Sequence, residues 1–320
     1  MNTIRFGILG AGAIAGKFAE AVMENPGTEL TAVASKSMDR AAAFAGKYRI
    51  PWYGSYEEMA AREDVDAVYI ATTHNFHKEN LRLCIEAGKH VICEKAMVLT
   101  EADAREIFAL AEEKGVFCME AMWSCFLPTT QKAKQWLTEG RIGKIQSVSA
   151  VIGFKAHFTP ESRLFNPALA GGAMYDIGVY PTEWITYLVG EPIEDCLSFR
   201  RDNPVTGVDE NVSFLLRYPS CDAAVQCMFT ANPKEFVLIH GSEGTIELPC
   251  VNGDRRALLY GQDRQLTETF TMEPANGFLY ELQEMEACIR AGKTTSSVLT
   301  PAITIDCARV FDRVLRGETK

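Results

Sequence analysis

The sequence predicts an α/β Rossmann domain, a doubly wound parallel sheet, followed by an α+β domain built on an antiparallel sheet. Three observations carry this reading. Residues 4–22, IRFGILGAGAIAGKFAEAV, pass from an apolar strand through a glycine turn into a helix. Over the first 120 residues, continuous apolar strands alternate with amphipathic helices, the pattern of a parallel sheet covered on both faces. From about Met122, β runs of alternating polarity take over, as in an antiparallel sheet with one face on a core. A chain of 320 residues exceeds what one core usually holds, so two domains are expected, 1–121 and 122–320.

In the opening unit, Ile4, Phe6, Ile8 and Leu9 make the strand, and Ile14, Phe18, Ala21 and Val22 give the helix an apolar stripe. Gly10, Gly12 and Ala15 fall in the G-x-G-x-x-G/A spacing of dinucleotide-binding turns. Gly10 permits the tight turn, Gly12 lets backbone approach a pyrophosphate, and Ala15 allows close helix–sheet packing. The helix N-terminus then faces the phosphate charge. Gly10, Gly12, Ala13 and Ile14 are accordingly expected at a dinucleotide. The spacing alone is common; the strand before it and the helix after it make it specific.

Further strands are expected at 30–34, 65–72, 90–94 and 116–119, with helices at 38–48, 77–87 and 101–114. Gly88 and Gly115 stand just past two of these helices, where a left-handed residue ends a helix. In the second half a helix at 129–139 precedes a strand at 145–154. Between 196 and 272 the runs VSFLLRY, AAVQCMFT, EFVLIHG and TIELP are separated by turn signals such as Pro219-Ser220, Asn232-Pro233 and Asn252-Gly253. Helices at 278–291 and 301–316 close the sequence, which has no internal repeat and no low-complexity tract.

Hydrophobic residues at 47% and charged residues at 23% are those of an ordinary globular protein. A net charge of -10 sets the chain against nucleic acid and anionic membranes as partners. The ten cysteines form no C-x-x-C pair and no zinc-ligand spacing, so no metal is expected. Cys84, Cys93, Cys118 and Cys307 sit in apolar runs as small hydrophobes, which suits a reducing cytoplasm. Residues 6–16 lack the basic lead and cleavage-like end of a signal peptide, and no run reaches membrane-spanning length.

Ligands of open α/β sheets bind at the carboxyl ends of the strands, and polar residues gather there. They are Ser35-Lys36-Ser37, then Thr72-Thr73-His74-Asn75 with His77 heading the next helix, then Glu94-Lys95, and Glu120. Any one reads as a solvated loop; four together read as a lined cleft. Thr72, His74, Asn75, His77, Glu94 and Lys95 are therefore candidate cofactor contacts. NAD would call for a carboxylate after the second strand, to bind the ribose hydroxyls. Instead Lys36 and Arg40 can neutralise a 2′-phosphate, and Ser35 and Ser37 can donate to it. Asp39 is the nearest acid and suits the N-terminus of the following helix. NADP is the expected cofactor and NAD the alternative.

The run GGAMYDIGVYP, residues 171–181, stands out in the second half. In a helix, Asp176 and Tyr180 are i,i+4 neighbours. A tyrosine beside a cation such as Lys95, its pKa lowered from about 10, can exchange a proton with a substrate hydroxyl. Pro181 cannot donate to the Ile177 carbonyl and is expected to kink the helix. On spacing alone, a core tyrosine capped by Asp176 is the simpler reading.

In this order GILGAGAIA, AVASKSMDRA, CEKA, EAMWSCFLP, GGAMYDIGVYP and RAGKTTSSVLTP resemble, over nearly the whole chain, the glucose-fructose oxidoreductase/inositol dehydrogenase family. Within it, the branch of dimeric dihydrodiol dehydrogenases and NADP-dependent xylose dehydrogenases is most similar. The resemblance implies a Rossmann domain, then a large, mostly antiparallel open-faced sheet, with the active site between them. It implies that Lys95 touches nicotinamide and substrate hydroxyl, that Asp176 is the family's acid, and that Tyr180 transfers the proton. It also implies pairing through the broad sheet, as a homodimer or homotetramer. Two departures stand out: Ala96 replaces the motif's proline, and Trp123-Ser124-Cys125 stands where relatives often carry Trp-Thr-Arg.

The expected activity is reversible hydride transfer between NADP(H) and the hydroxyl-bearing carbon of a sugar, polyol or trans-dihydrodiol. Tyr180 would be the acid/base, Lys95 would polarise the oxygen and Asp176 would orient them. Trp123, Phe154 and His157 are candidates for the pocket wall, though each also reads as ordinary packing. The alternatives are a glycosidase using NAD without net redox turnover and a non-catalytic nucleotide-binding regulator. A regulator could dispense with the Lys95, Asp176 and Tyr180 set.

Overall fold

Apolar runs without a polar break become the strands of the first sheet in the computed structural model, which describes residues 3–250 and 255–317. Strand β1 (Ile4–Leu9) enters α1 (Ala13–Glu24), followed by β2 (Thr28–Ala34) and α2 (Met38–Tyr48). Then come β3 (Trp52–Gly54), α3 (Tyr56–Ala60), β4 (Ala67–Ile70) and α4 (His77–Glu86). The run ends with β5 (His90–Glu94), α5 (Glu101–Lys114) and β6 (Cys118–Ala121). Every pairing is parallel, in the order β3-β2-β1-β4-β5-β6, so the order reverses between β1 and β4, as in Rossmann folds. Gly88 and Gly115 end their helices at φ 74° and 66°.

Several details differ from expectation: β2 begins at Thr28 rather than Leu30, and β4 spans Ala67–Ile70 rather than 65–72. The short β3 and α3 were not foreseen, although Ser55 and Glu58 form a reciprocal capping box at the head of α3. Strand β6 starts at Cys118, two residues later than the apolar run. Phe18, Ala21 and Val22 are fully buried as the stripe requires, but Ile14 is 36% exposed, because it lies in the first turn of α1, before the buried face begins.

The helix α6 (Trp123–Phe126) leads to α7 (Pro128–Thr138), β7 (Ile145–Gly153) and α8 (Val179–Val189). Next are β8 (Asp195–Asp202), β9 (Asp209–Arg217), β10 (Asp222–Met228), β11 (Phe236–Gly241), β12 (Gly244–Leu248), β13 (Arg256–Gly261) and β14 (Leu266–Thr271). Two helices follow, α9 (Phe278–Arg290) and α10 (Pro301–Phe311), the latter running into a π-turn at Asp312–Arg316. The strand order is β14-β13-β12-β11-β7-β10-β9-β8, antiparallel except for the β7–β10 pair. The turn expected at Asn252-Gly253 lies outside the described residues.

Register explains the two faces of this sheet. Phe214, Val225, Ala150 and Val237 align across β9, β10, β7 and β11 and are buried, with α7 and α8 packed on the sheet. One residue over, Leu197 and Leu215 pair across β8 and β9 and stay exposed, beside Phe199, which is 85% exposed. The period-2 alternation thus leaves an apolar outer face.

Chain contacts divide the protein into two units. The first comprises Met1–Val98, Ala102–Trp123 and Ala275–Pro301, and the second Leu99–Glu101, Ser124–Pro274 and Ala302–Lys320. A single cut at 121/122 puts α9 in the second domain; in the structure it packs on α1. Asn25 donates to Glu286 at 2.6 Å, Asn276 donates to the Lys17 carbonyl at 2.7 Å, and Phe278 stacks on Trp123. Among the described residues no helix is long and apolar enough to cross a membrane, and all ten cysteines are free thiols.

Helix α9 also carries Glu281 into the interior of the first unit. Its carboxyl is fully buried, and neither oxygen has a hydrogen-bond partner. Burial, reinforced by Glu94, holds its pKa well above the ordinary carboxylate value. A raised folded-state pKa means stability present below the unfolded value and lost as pH rises. We expect Glu281→Met to gain on the wild type steadily as pH increases from 5 to 8, by about 1–3 kcal/mol at the upper end. Thermal melts across that range check this; a constant difference would refute it.

Candidate active site

The first unit gathers its polar groups where β1 and β4 part. Gly10 has φ 108°, and a β-carbon there would lie 2.6 Å from the Ala71 carbonyl oxygen. Gly12 opens α1 with an ordinary φ of -93°, and a β-carbon there would meet no atom within 4 Å. It makes no side-chain cap, the first turn holds no acid, and Gly12, Ala13 and Ile14 are exposed. Uncapped N–H groups at the positive end of a helix, with room against Gly12, fit the diphosphate of a dinucleotide.

At the end of β2, the Ser35 hydroxyl accepts the Ser37 N–H at 3.3 Å, and the Ser37 hydroxyl caps α2 by accepting the Arg40 N–H at 3.4 Å. Each hydroxyl keeps its own proton to donate. Lys36 and Arg40 are exposed, and Asp39 lies in the first turn of α2. The Lys36 ammonium stands 3.2 Å from the centroid of the Phe76 ring.

Beyond β4, a 3-10 turn, His74–Phe76, ties this edge to the end of β5. The His74 Nε2 bonds the Lys95 carbonyl at 3.1 Å. His77 sets Nδ1 2.9 Å from the Ala96 carbonyl oxygen and Nε2 2.9 Å from the Thr72 carbonyl oxygen, and whichever nitrogen carries the proton donates. Thr72 also accepts from Asn80 at 3.1 Å, and Asn75 accepts from Thr73 at 2.8 Å. The Lys95–Ala96 peptide bond is cis, at the place where the family motif has proline. Glu120 at the end of β6 accepts the Met97 N–H at 2.8 Å, so the backbone around Lys95 is held from both neighbouring strands.

Two expected cofactor contacts face inward. His77 is fully buried between its two carbonyls, and burial lowers its pKa against their pull, so it braces the loop. Glu94 is buried and accepts the Tyr69 hydroxyl, with burial raising its pKa and the Tyr69 bond and Lys95 opposing the rise. Strand alternation sends Glu94 into the core and its neighbour Lys95, half-buried, the other way.

In the second unit, Asp176 lies not in an α-helix but in a π-turn, Met174–Gly178, that precedes α8. The i,i+4 geometry expected with Tyr180 is therefore replaced by a wider turn. The cause is local: Pro181 has no N–H for the Ile177 carbonyl, and widening the preceding turn relieves its ring. Asp209 anchors the start of this turn by accepting the Met174 N–H at 2.7 Å, and burial pushes its carboxyl up to about 7. Asp176 is buried and accepts from Arg163 at 2.7 Å. Tyr180 is buried on the first turn of α8.

Of the aromatic candidates, Trp123 lies parallel to Phe278, with centroids 6.2 Å apart. Phe154 is exposed and tilted on Phe229 at 5.2 Å, and His157 is exposed. Cys125, where relatives often carry a basic group, is a fully buried thiol. Arg163, Phe278 and Phe76 were not anticipated. Their partners lie 13, 155 and 40 positions away, beyond any local spacing rule.

A family model described as oxidoreductase family, NAD-binding Rossmann fold, matches residues 4–122, and one for the GFO/IDH/MocA C-terminal domain matches residues 130–247. The chain belongs to the GFO/IDH/MocA oxidoreductase family. Trans-1,2-dihydrobenzene-1,2-diol dehydrogenase of Mus musculus is 34% identical over 329 residues, covering 98% of this chain and 96% of its own. A 3-ketoreductase from Actinomadura kijaniata, solved with NADP and TDP-benzene, superposes with a TM-score of 0.88 at 26% identity, covering 99% of this chain and 98% of that one. Levoglucosan dehydrogenase, solved with NADH and levoglucosan, shares the fold at a TM-score of 0.90 and 21% identity, covering 98% of this chain and 97% of that one. This member of the GFO/IDH/MocA family is an NAD(P)-dependent dehydrogenase.

The two turn glycines make separable predictions. Gly10→Ala should cost at least about 1–3 kcal/mol of stability, since both φ and the Ala71 carbonyl oppose a side chain. Gly12→Val should cost about 1 kcal/mol or less yet remove the rise in melting temperature that NADP or NAD gives the wild type. Equal losses of stability in both variants would contradict this division of roles.

Proposed function

We propose that this dehydrogenase transfers a hydride between NADP(H) and the hydroxyl-bearing carbon of a sugar, polyol or trans-dihydrodiol. The cofactor preference rests on the end of β2, where Lys36, Arg40 and the hydroxyls of Ser35 and Ser37 stand in place of a carboxylate. Two cations and two donors suit a 2′-phosphate, which a carboxylate would repel. The substrate class rests on the catalytic set and on the mouse relative, whose name specifies a trans-dihydrodiol.

Gly10, Gly12, Ala13 and Ile14 would hold the diphosphate, and Thr72, His74, Asn75 and Lys95 would border the remainder. The bound cofactor supplies or takes up the hydride. Tyr180 exchanges the proton of the substrate hydroxyl, and Lys95 holds positive charge at the same oxygen. Asp176, paired with Arg163, orients the hydroxyl groups. Trp123 with Phe278, and Phe154, offer apolar surface to a ring-shaped substrate, and His157 offers a polar edge. We also propose that the chain forms homodimers through the outer face of the second sheet, where Leu197, Phe199 and Leu215 are exposed.

Mixing the protein with NADP or NAD and a panel of aldoses, inositols and trans-dihydrodiols should give reduced-cofactor absorbance with at least one pair. Silence across the panel with tight cofactor retention would instead favour a glycosidase or a regulator. Tyr180→Phe should lower kcat by about 10²–10⁴-fold while leaving the NADP dissociation constant unchanged; survival of turnover within a few-fold would remove its role. In light scattering the wild type should run at twice the 35.4 kDa chain mass, and Phe199→Arg should return it to the single-chain mass.

A further inference from the structure

The NADP reading assigns Lys36 to the 2′-phosphate, but a lysine on an exposed strand end is a poor electrostatic anchor by itself. Its four-carbon stem samples many rotamers, and fixing it on a ligand costs that freedom at the moment of binding. In this structure the stem is already directed. The Lys36 ammonium sits 3.2 Å from the centroid of Phe76, over the negative face of the ring.

The backbone that carries the ring is fixed. Phe76 ends the 3-10 turn after β4, where its N–H donates to the Thr73 carbonyl at 2.9 Å. Two residues around that turn reach the β5 loop: His74 contacts the Lys95 carbonyl, and His77 lies between the carbonyls of Ala96 in that loop and Thr72 after β4. On the other side, Lys36 follows Ser35, a buried residue whose hydroxyl accepts the Ser37 N–H. Both partners therefore leave well-determined backbone and meet across 40 residues of sequence.

We propose that Phe76 is the positioning residue for NADP selectivity, holding the Lys36 ammonium in place for a 2′-phosphate. The inference rests on the NADP reading above. A phosphate approaching the free side of the ammonium finds the charge pre-oriented, so the ring adds to affinity only where the 2′-phosphate is present. A ring that stacked on the adenine instead would serve NADP and NAD alike.

The test is a double-mutant cycle on the full-length protein, with NADP⁺ and NAD⁺ dissociation constants measured by calorimetry for wild type, Lys36→Met, Phe76→Leu and the double variant. Phe76→Leu should weaken NADP⁺ binding by about threefold to tenfold and leave NAD⁺ within about twofold. In the Lys36→Met background the same substitution should have no further effect on NADP⁺. Phe76→Tyr, which keeps a ring face, should retain the wild-type NADP⁺/NAD⁺ ratio and shows whether the position tolerates change. Equal weakening of both cofactors by Phe76→Leu, or independent effects of the two substitutions on NADP⁺, would overturn the role of Phe76 while leaving that of Lys36 standing. Equal wild-type affinity for both cofactors, unmoved by Lys36→Met, would overturn the NADP reading and this inference together.

Discussion

Position 10 carries no side chain because the Ala71 carbonyl oxygen occupies the space where a β-carbon would stand, and because the chain turns there with φ 108°. That close approach of β1 to the end of β4 sets the geometry of the first unit. Parallel strands on either side of the reversal carry their connections to opposite faces, so the edge between them stays open. Onto that edge the sheet delivers Ser35 to Ser37 from β2, Thr72 to His77 from β4 and Lys95 from β5. Gly12, two residues on, is small for a different reason: nothing in the protein approaches it, which leaves the space to a ligand.

The polar edge depends on costs accepted just beneath it. Tyr69 stacks its ring on Phe18 at 3.8 Å and passes its hydroxyl to Glu94. Apolar packing thereby fixes the carboxylate that precedes Lys95. Glu281 adds a second buried acid, and Glu94 raises its pKa further. Buried carboxyls so placed are unfavourable for the fold at neutral pH. A buried acid at the end of β5, close enough to a second one to raise its pKa, is what one expects where local stability has been given up for a site.

Much of this was legible in the chain because it depends on short-range pattern. The G-x-G-x-x-A turn, the β1, β5 and α2 spans and the glycine helix ends follow from periodicity and from backbone preferences within a few residues. Features of long sequence separation were not legible. The return of α9 onto α1 is held by Asn25 and Glu286, 261 positions apart, and the parallel β7–β10 pair joins Asp222 to Ser147 across a long stretch of chain. Of the residues found only in the structure, Phe76, Arg163 and Phe278 owe their meaning to partners beyond local spacing, and Glu281 to its burial without one. Conversely, Glu94 at the end of β5 and His77 at the head of α4 stand where a ligand contact would, but strand and helix phase turn them inward, a distinction that local composition does not encode. The short α3 is different again. Its Ser55–Glu58 capping box was present in the sequence, and five residues of helix are simply too few for periodicity to register.

The second unit places its acid by another route. There the register of the sheet matters less than a local conflict in the backbone: Pro181 cannot complete an α-helical turn, and the preceding residues widen into a π-turn. Gly172, at φ 128° against the Asp209 carboxyl, and the Asp209 bond to the Met174 N–H fix where that turn begins. A wider turn alters the direction in which Asp176 leaves the backbone, and Arg163, contributed by the preceding loop, meets it there. Burial pushes the Asp209 carboxyl up to about 7, and the bond that starts the turn strengthens as that carboxyl ionises. The direction of Asp176 is therefore set by one proline, one glycine and one buried acid, none of which is expected to touch substrate.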